Sequence, residues 1–417
     1  MAQNDGISMR RFLARLRRFA FRFVAKVRLV IFVFFLIPVA LICRIIRPFV
    51  WIRFGYFNVN RMGHFVADTA QYLSERELGV HPPMAKDFFF FQGKPANDCV
   101  KNMVERELTI SPIVEPLFLA SRLFLGGSNH VIYPAVTTRG SRDINGITSK
   151  ALVLGFTEAE EQEGKAYLKS MGIGARDNFV CLIVRDDAYL KKTFEHSNWD
   201  YHGYRNSSIH DYRTAIQKLN ARGYYVLRMG SVVNDRLDLG TSKFIDYANS
   251  SERSDFLDTW LVANCCFAIS TSTGLDEVAI AFQRPVVFVN HLPVGDCRTG
   301  SERFVELFKR MRWRSTGEYL GLHEQIEYGV VNCYRQSGFD ELGIEIIDNS
   351  PSEITAAVLE MEDMISRRWH RTAEDEKKQM RFFEILAKTE NYSKRHGPLR
   401  ANISSSFLTA HGDWFLR

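Results

Sequence analysis

The sequence predicts an α/β protein built on parallel sheet, led by an apolar and strongly basic segment. Three observations predict it. From Asn178 onward, short apolar runs alternate with helical stretches of about 10–15 residues, the rhythm of strands joined by crossover helices. Residues 266–290, CFAISTSTGLDEVAIAFQRPVVFVN, read as strand, small-residue loop, helix and strand. Residues 1–53 combine an uncharged run, Leu29 to Cys43, with a flank rich in arginine.

The N-terminal run is short for a membrane span, which needs about 20 apolar residues, and Pro38 lies near its middle, where it would kink a helix. No small-residue cleavage site follows, so the segment reads as an anchor rather than a removed leader. Both a single-pass helix and a monotopic or re-entrant segment fit. Basic residues on both flanks favour the cytoplasmic face of the inner membrane. Phe54 to Val59 reads as a strand, Asn60 to His64 as a loop, and Phe65 to Glu77 as a helix. Phe88–Phe91 and Val131–Tyr133 fit strands, Cys99–Glu107 a helix, 137–150 a loop, and Glu158–Met171 a helix. Phe179–Val184 is an apolar strand, 188–207 a polar, aromatic loop, and Ile209–Arg222 a helix closed by Gly223. Tyr224–Arg228 and Lys243–Tyr247 are strands, and Ser254 caps a helix to Asn264. Pro351–Met364, with Ser352 near its cap, and Ala373–Ala387 are helices.

The formal net charge of the 417 residues is +6, but it is unevenly placed. Residues 1–67 hold 12 Lys/Arg and one acid, net +11; the remainder holds 42 basic and 47 acidic residues, net −5. Basic character that coincides with an apolar segment points to anionic lipid and away from nucleic acid. The seven cysteines show no CxxC and no zinc spacing, and read as buried reduced thiols.

In open α/β sheets ligands bind outside the carboxyl ends of the strands. Four loops qualify. Ser270-Thr271-Ser272-Thr273-Gly274 suits a phosphate, with small side chains, hydroxyls and a helix start near Leu275. Arg228-Met229-Gly230 places an arginine fork for pyrophosphate, or else a structural salt bridge. Arg185 offers the same fork beside Asp186 and Asp187, and Tyr204 and Arg205 either touch ligand or pack the loop. In the first loop His64 follows Gly63 where a general base would stand, with Asp68 one helical turn on as its competitor. There is no Asp-x-Asp, no GxxxxGK[ST], and no GxGxxG in the first unit; this argues against a metal-dependent glycosyl transferase of the Asp-x-Asp type, a P-loop NTPase and a dinucleotide oxidoreductase.

Thr273-Gly274, Ala279, Ala281 and Pro285 resemble the C-terminal signature of heptosyltransferase-type GT-B glycosyltransferases, with Glu277 in the place of its histidine and Gly63-His64 in the place of its N-terminal Gly-Asp. Together with Arg61–His64, Tyr204–Asn206, Arg228–Gly230 and Ile403–Leu408, the body from about residue 54 resembles a group of bacterial surface-polysaccharide glycosyltransferases. The resemblance implies two Rossmann-like domains facing across a cleft, with an acceptor-side domain at 54–171, a nucleotide-sugar domain at 172–365, and a crossing helix and tail at 366–417. It implies transfer from a nucleotide sugar to a lipid-linked or polysaccharide acceptor, with no cofactor or metal, His64 as base and Glu277 at the ribose. Two rivals fit the same residues: a CDP-polyol or sugar-phosphate transferase, and a non-catalytic membrane-anchored nucleotide-binding scaffold.

Overall fold

Uninterrupted helix-forming sequence at the N-terminus and strand-forming runs after residue 50 set the element order of the computed structural model, which describes residues 2–133, 140–141, 143, 146, 148–186, 200–233 and 235–417. The chain begins with α1 (Ala2–Ile45), β1 (Trp51–Asn58), α2 (Met62–Glu77), β2 (Ala85–Gln92), α3 (Asp98–Glu107), α4 (Val114–Ser121), β3 (Val131–Ile132) and α5 (Glu158–Ser170). It continues with β4 (Phe179–Ile183), α6 (Arg213–Ala221), β5 (Tyr225–Met229), β6 (Phe244–Ile245), α7 (Asp255–Asn264), β7 (Phe267–Ser270), α8 (Asp276–Ala281) and β8 (Val286–His291). The remaining elements are β9 (Phe304–Phe308), β10 (Arg310–Trp313), α9 (Leu322–Glu327), α10 (Gln336–Glu341), β11 (Ile344–Ile347), α11 (Pro351–Ile365), α12 (Ala373–Leu386), β12 (Asn402–Ile403) and α13 (Ser405–Phe415).

The chain divides into two units, one of residues 1–58, 79–94 and 105–134, the other of 59–78, 95–104 and 135–417. These units do not follow the 54–171 and 172–365 segments expected from the sequence: α2 and most of α3 belong with the larger unit.

The smaller unit carries a parallel sheet in the order β2-β1-β3. Gly55 on the central strand is required by contact, since a Cβ there would stand 2.6 Å from Ile132 and 2.7 Å from Phe89. Arg53 reaches its register partner Asp87 through two bonds of 2.7 and 2.6 Å. Cys43 of α1 joins Phe54, Phe90, Val114 and Phe118 in a small apolar cluster, so the C-terminal end of α1 is seated beside α4. Pro38 does not interrupt α1. Lys26–Ile45, 20 residues and largely unburied, is long and apolar enough to cross a membrane. That exceeds the 15 uncharged residues read from the sequence, because the helix also counts the charged residues at its ends. The apolar residues Phe49–Ile52 that follow Pro48 are partly strand, since β1 begins at Trp51.

The larger unit is built on a seven-stranded, all-parallel sheet in the order β12-β9-β8-β7-β4-β5-β6. Counted from β4 this is 3-2-1-4-5-6 with one strand added, the doubly wound nucleotide-binding order. Alternate residues of neighbouring strands (Val180, Leu182; Phe267, Ile269; Val287, Val289; Val305, Leu307) share one apolar core with Ile216 and Leu219 of α6 and Ile354, Val358 and Met361 of α11. Their neighbours, Cys181, Ala268 and Phe288, are buried too, as expected of a sheet covered on both faces. β10 and β11 form a separate antiparallel pair that the sequence reading did not predict.

Local chemistry sets the helix ends. Ser254 accepts from the Leu257 N–H, as expected. Thr157 with Glu160, and Ser350 with Glu353, close capping boxes. The cap of α11 is therefore Ser350 and not Ser352, because Pro351 occupies the first helical turn, where its missing N–H costs nothing. The helix expected over 209–222 splits into a 3-10 turn, Ile209–Tyr212, and α6, since the Ser208 hydroxyl accepts from His210 N–H and starts a tight turn. Most of the expected 137–150 loop and the first part of the 188–207 loop lie outside the described residues.

The serines of the Ile403–Leu408 motif have a structural role. Glu360 of α11 accepts from the Ser404 hydroxyl and from both the N–H and hydroxyl of Ser405 at the start of α13. Burial raises the Glu360 carboxyl to about 7 although these bonds pull it down. The folded chain thus holds a proton there that the unfolded chain releases near pH 4–5. Stability from this group is present at low pH and is lost as pH rises to about 7. Glu360→Gln should flatten the fall in unfolding free energy between pH 5 and 7.5, as read by urea denaturation. An unchanged slope would remove Glu360 from this role.

Candidate active site

A doubly wound sheet opens a crevice where its strand order reverses, here between the carboxyl ends of β4 and β7. Arg185 follows β4, and Ser270–Gly274 ends β7. The two are joined directly: Thr271 N–H donates to the Ile183 carbonyl at 3.2 Å, and the Arg185 N–H donates to the Thr271 hydroxyl at 2.8 Å.

The Ser270–Gly274 loop is shaped from within by Asp276, which is fully buried. One of its oxygens accepts from both the Ser270 hydroxyl and the Thr273 N–H, each at 2.7 Å. Burial raises the Asp276 carboxyl, the neighbouring charge of Glu277 adds to this, and Arg298, Ser270 and Thr273 oppose it. The Thr273 hydroxyl accepts from Leu275 N–H, and Ser272 takes a left-handed conformation at φ 56°. Among the described residues the amides of Ser272 and Gly274 donate to nothing, so the loop keeps N–H donors for an external oxyanion. Arg205 brings its fork to the same loop and donates to the Ser272 carbonyl. The helix behind the loop, α8, starts at Asp276 and has six residues.

α2 meets this loop at its first turn. A Cβ on Gly274 would stand 2.8 Å from the Gly63 nitrogen, so the contact admits no side chain. The helix was expected to begin at Phe65; it begins at Met62, and Gly63 and His64 are helical rather than loop residues. His64 and Asp68 therefore lie on one face, with His64 Nδ1 3.7 Å from Asp68 Oδ2. The two candidates for the base thus stand side by side. Asp68 is buried and His64 keeps a fifth of its side chain exposed.

Other expected ligands are tied up elsewhere. Arg228 is paired in register with Leu182 inside β5 and is 2% exposed. It donates to the Asp235 carbonyl and lies 3.5 Å from Asp246, which is the salt-bridge alternative and not the pyrophosphate one. Tyr204 packs in the core at 5.6 Å from the Phe339 ring. Gly230, at φ 150°, terminates β5 in a conformation that favours glycine. Glu277, expected at the ribose, is buried and accepts from Arg298 at 2.6 Å. Asp187, the second half of the acidic pair after β4, lies outside the described residues.

The sequence reading missed a buried ionic chain beside the loop. Glu306 of β9 bonds His291 Nδ1 at 2.5 Å with one oxygen and accepts the Arg298 N–H at 2.6 Å with the other. Arg298 then reaches Glu277. A glutamate inside the apolar strand Phe304–Phe308 was the available signal. Near the end of β9, Lys309 is buried and bonds Asp348 and the Asn206 carbonyl, each at 2.7 Å, on the wall of an open pocket of about 430 Å3 that Ser207 and Arg314 also line. Burial lowers the Lys309 pKa against the pull of Asp348.

No family model matches the sequence, and no curated protein matches it. Among solved structures the chain is similar to a glycosyl transferase family 9 protein from Veillonella parvula, at 10% identity and TM-score 0.41 over 62% of this chain and 86% of that one. It is also similar to E. coli ADP-heptose lps heptosyltransferase II, at 14% identity and TM-score 0.38 over 75% of this chain and all of that one. A third is E. coli heptosyltransferase WaaC with ADP-2-deoxy-2-fluoro heptose, at 11% identity and TM-score 0.30 over 57% of this chain and 88% of that one.

Proposed function

We propose that this chain is a GT-B-type glycosyltransferase of bacterial cell-surface glycan synthesis, moving a sugar from a nucleotide-sugar donor to a lipid-linked or polysaccharide acceptor. The observation that carries the reading is the meeting, at the switch point of a doubly wound sheet, of the His64–Asp68 pair with the Ser270–Gly274 loop. A hydroxyl of the acceptor attacks the anomeric carbon and His64 takes its proton, with Asp68 holding the imidazole. The bond to the diphosphate breaks, and the departing charge is met by the free amides of the loop and the guanidinium of Arg205. Arg185, fixed to Thr271 through its backbone, stands at the same crevice. Fixed donors of this kind let transfer proceed without a metal or a cofactor. The basic, apolar α1 holds the enzyme to anionic lipid on the cytoplasmic face of the inner membrane, where nucleotide sugars are made.

A thermal-shift panel of the detergent-solubilised protein with UDP, GDP, ADP, CMP and CDP tests this. One nucleotide should raise the melting temperature. Saturation at about 100 times Kd stabilises by about 2.7 kcal/mol, which is several degrees for most domains. No shift with any of them in folded protein would overturn the reading, and a response to CDP alone would turn it toward polyol-phosphate transfer.

A further inference from the structure

We propose that the larger unit carries a second anion site at the opposite, amino-terminal edge of its sheet, one that takes a diphosphate or phosphodiester group. The adjacent strands β8, β9 and β12 begin at Val286, Phe304 and Asn402. Each is preceded by an arginine: Arg284, Arg303 and Arg400. The register that pairs Asn402 with Val305 sets Arg400 beside Arg303, and the pairing of Val286 with Phe304 sets Arg284 one position away. Three neighbouring strands span about 10 Å, so the three guanidinium groups start from one short row.

That row lines a cavity of about 340 Å3, together with Lys150 and the hydroxyls of Ser149 and Ser301. Glu302 is the single acid on its wall, leaving a lining charge of +3. Each arginine spends one donor on the protein. Arg284 donates to the Ala263 carbonyl at 2.6 Å, Arg303 to the Gln283 carbonyl at 3.2 Å, and Arg400 to the Ser149 hydroxyl at 3.3 Å. A guanidinium has five N–H donors, so most remain for a ligand. Among the described residues none of the four cations forms an ion pair, whereas Arg222, Arg298 and Arg368 of the same unit all do. Four cations gathered round a cavity with one carboxylate, Glu302, on its wall repel one another, and a bound anion relieves this. The phosphorus-bearing group comes either from a soluble molecule or from a lipid headgroup; the cavity chemistry is the same. This site stands independently of the proposed activity, whose residues lie at the carboxyl edge.

The test compares the full chain with Arg303→Glu/Arg400→Glu, which changes two exposed side chains and leaves α1 intact. Isothermal titration with inorganic pyrophosphate reads the soluble source, and retention on dodecyl maltoside micelles carrying phosphatidylglycerol reads the headgroup source. The double variant should lose at least tenfold in affinity for one probe with an unchanged melting temperature, while Arg205→Ala, which perturbs the loop at the far edge, keeps that binding. Should the double variant fail to fold, Lys150→Glu should weaken the same probe at least threefold. Binding that follows Arg205 instead, or that is the same in all variants for both probes, overturns the proposal.

Discussion

Arg298→Ala should cost about 3–5 kcal/mol of unfolding free energy, the usual result of removing one partner from a buried ionic cluster. Arg298 is 5% exposed and stands among Glu277, Asp276, Asp296 and Glu306. Burial alone would lower its pKa; the carboxylates, Glu277 first, carry it above the ordinary value. Taking the guanidinium away removes the cation 2.6 Å from Glu277, which is 3% exposed and next to the buried Asp276 that shapes the Ser270–Gly274 loop. Urea denaturation at pH 7.5 measures the loss. Arg298→Met combined with Glu277→Leu should recover part of it, because the Glu277 charge goes with its partner while Asp276 and Glu306 remain. A loss below about 1 kcal/mol in Arg298→Ala would mean that water or a neighbouring cation already screens Glu277. Nucleotide response should fall together with stability in the single variant, since the loop and the cluster share Asp276 and Glu277.

The same cluster shows where reading the sequence stops. Parallel sheet was legible because each strand, buried on both faces, is an apolar run with its own punctuation, as in Phe179–Ile183 and Val286–Val289. The loop after β7 was legible because small residues between two such runs have few other uses. What a polar side chain faces was not legible. Arg228 and Glu277 have the residue types of ligands, yet partners distant in sequence, Asp246 and Arg298, claim them. Conversely, Glu306 and His291 sit in strands and pair across a sheet register that no local pattern encodes. The start of α2 was misplaced because Arg61 provides no side-chain cap to mark it. That error left His64 in a loop, whereas the helix carries both His64 and Asp68.

His64→Ala should lower kcat by about 10²–10⁴-fold, the range for loss of a positioned general base, while the nucleotide-induced thermal shift stays as in the parent. The split follows from geometry. His64 belongs to α2, and the donors assigned to the nucleotide are the loop amides and Arg205, so removing the imidazole takes nothing from diphosphate binding. Asp68→Asn keeps a side chain of the same shape 3.7 Å from His64 and removes only its charge. Its drop in kcat should be smaller than that of His64→Ala. The double variant should then be no slower than His64→Ala alone, because Asp68 acts only through the imidazole, and residues that work as one unit are not additive. Additive losses would make Asp68 an independent base that reaches the acceptor itself. Full transfer by His64→Ala would remove histidine from the chemistry, and the role of α2 would then be to close the Gly63–Gly274 contact that holds the loop in place.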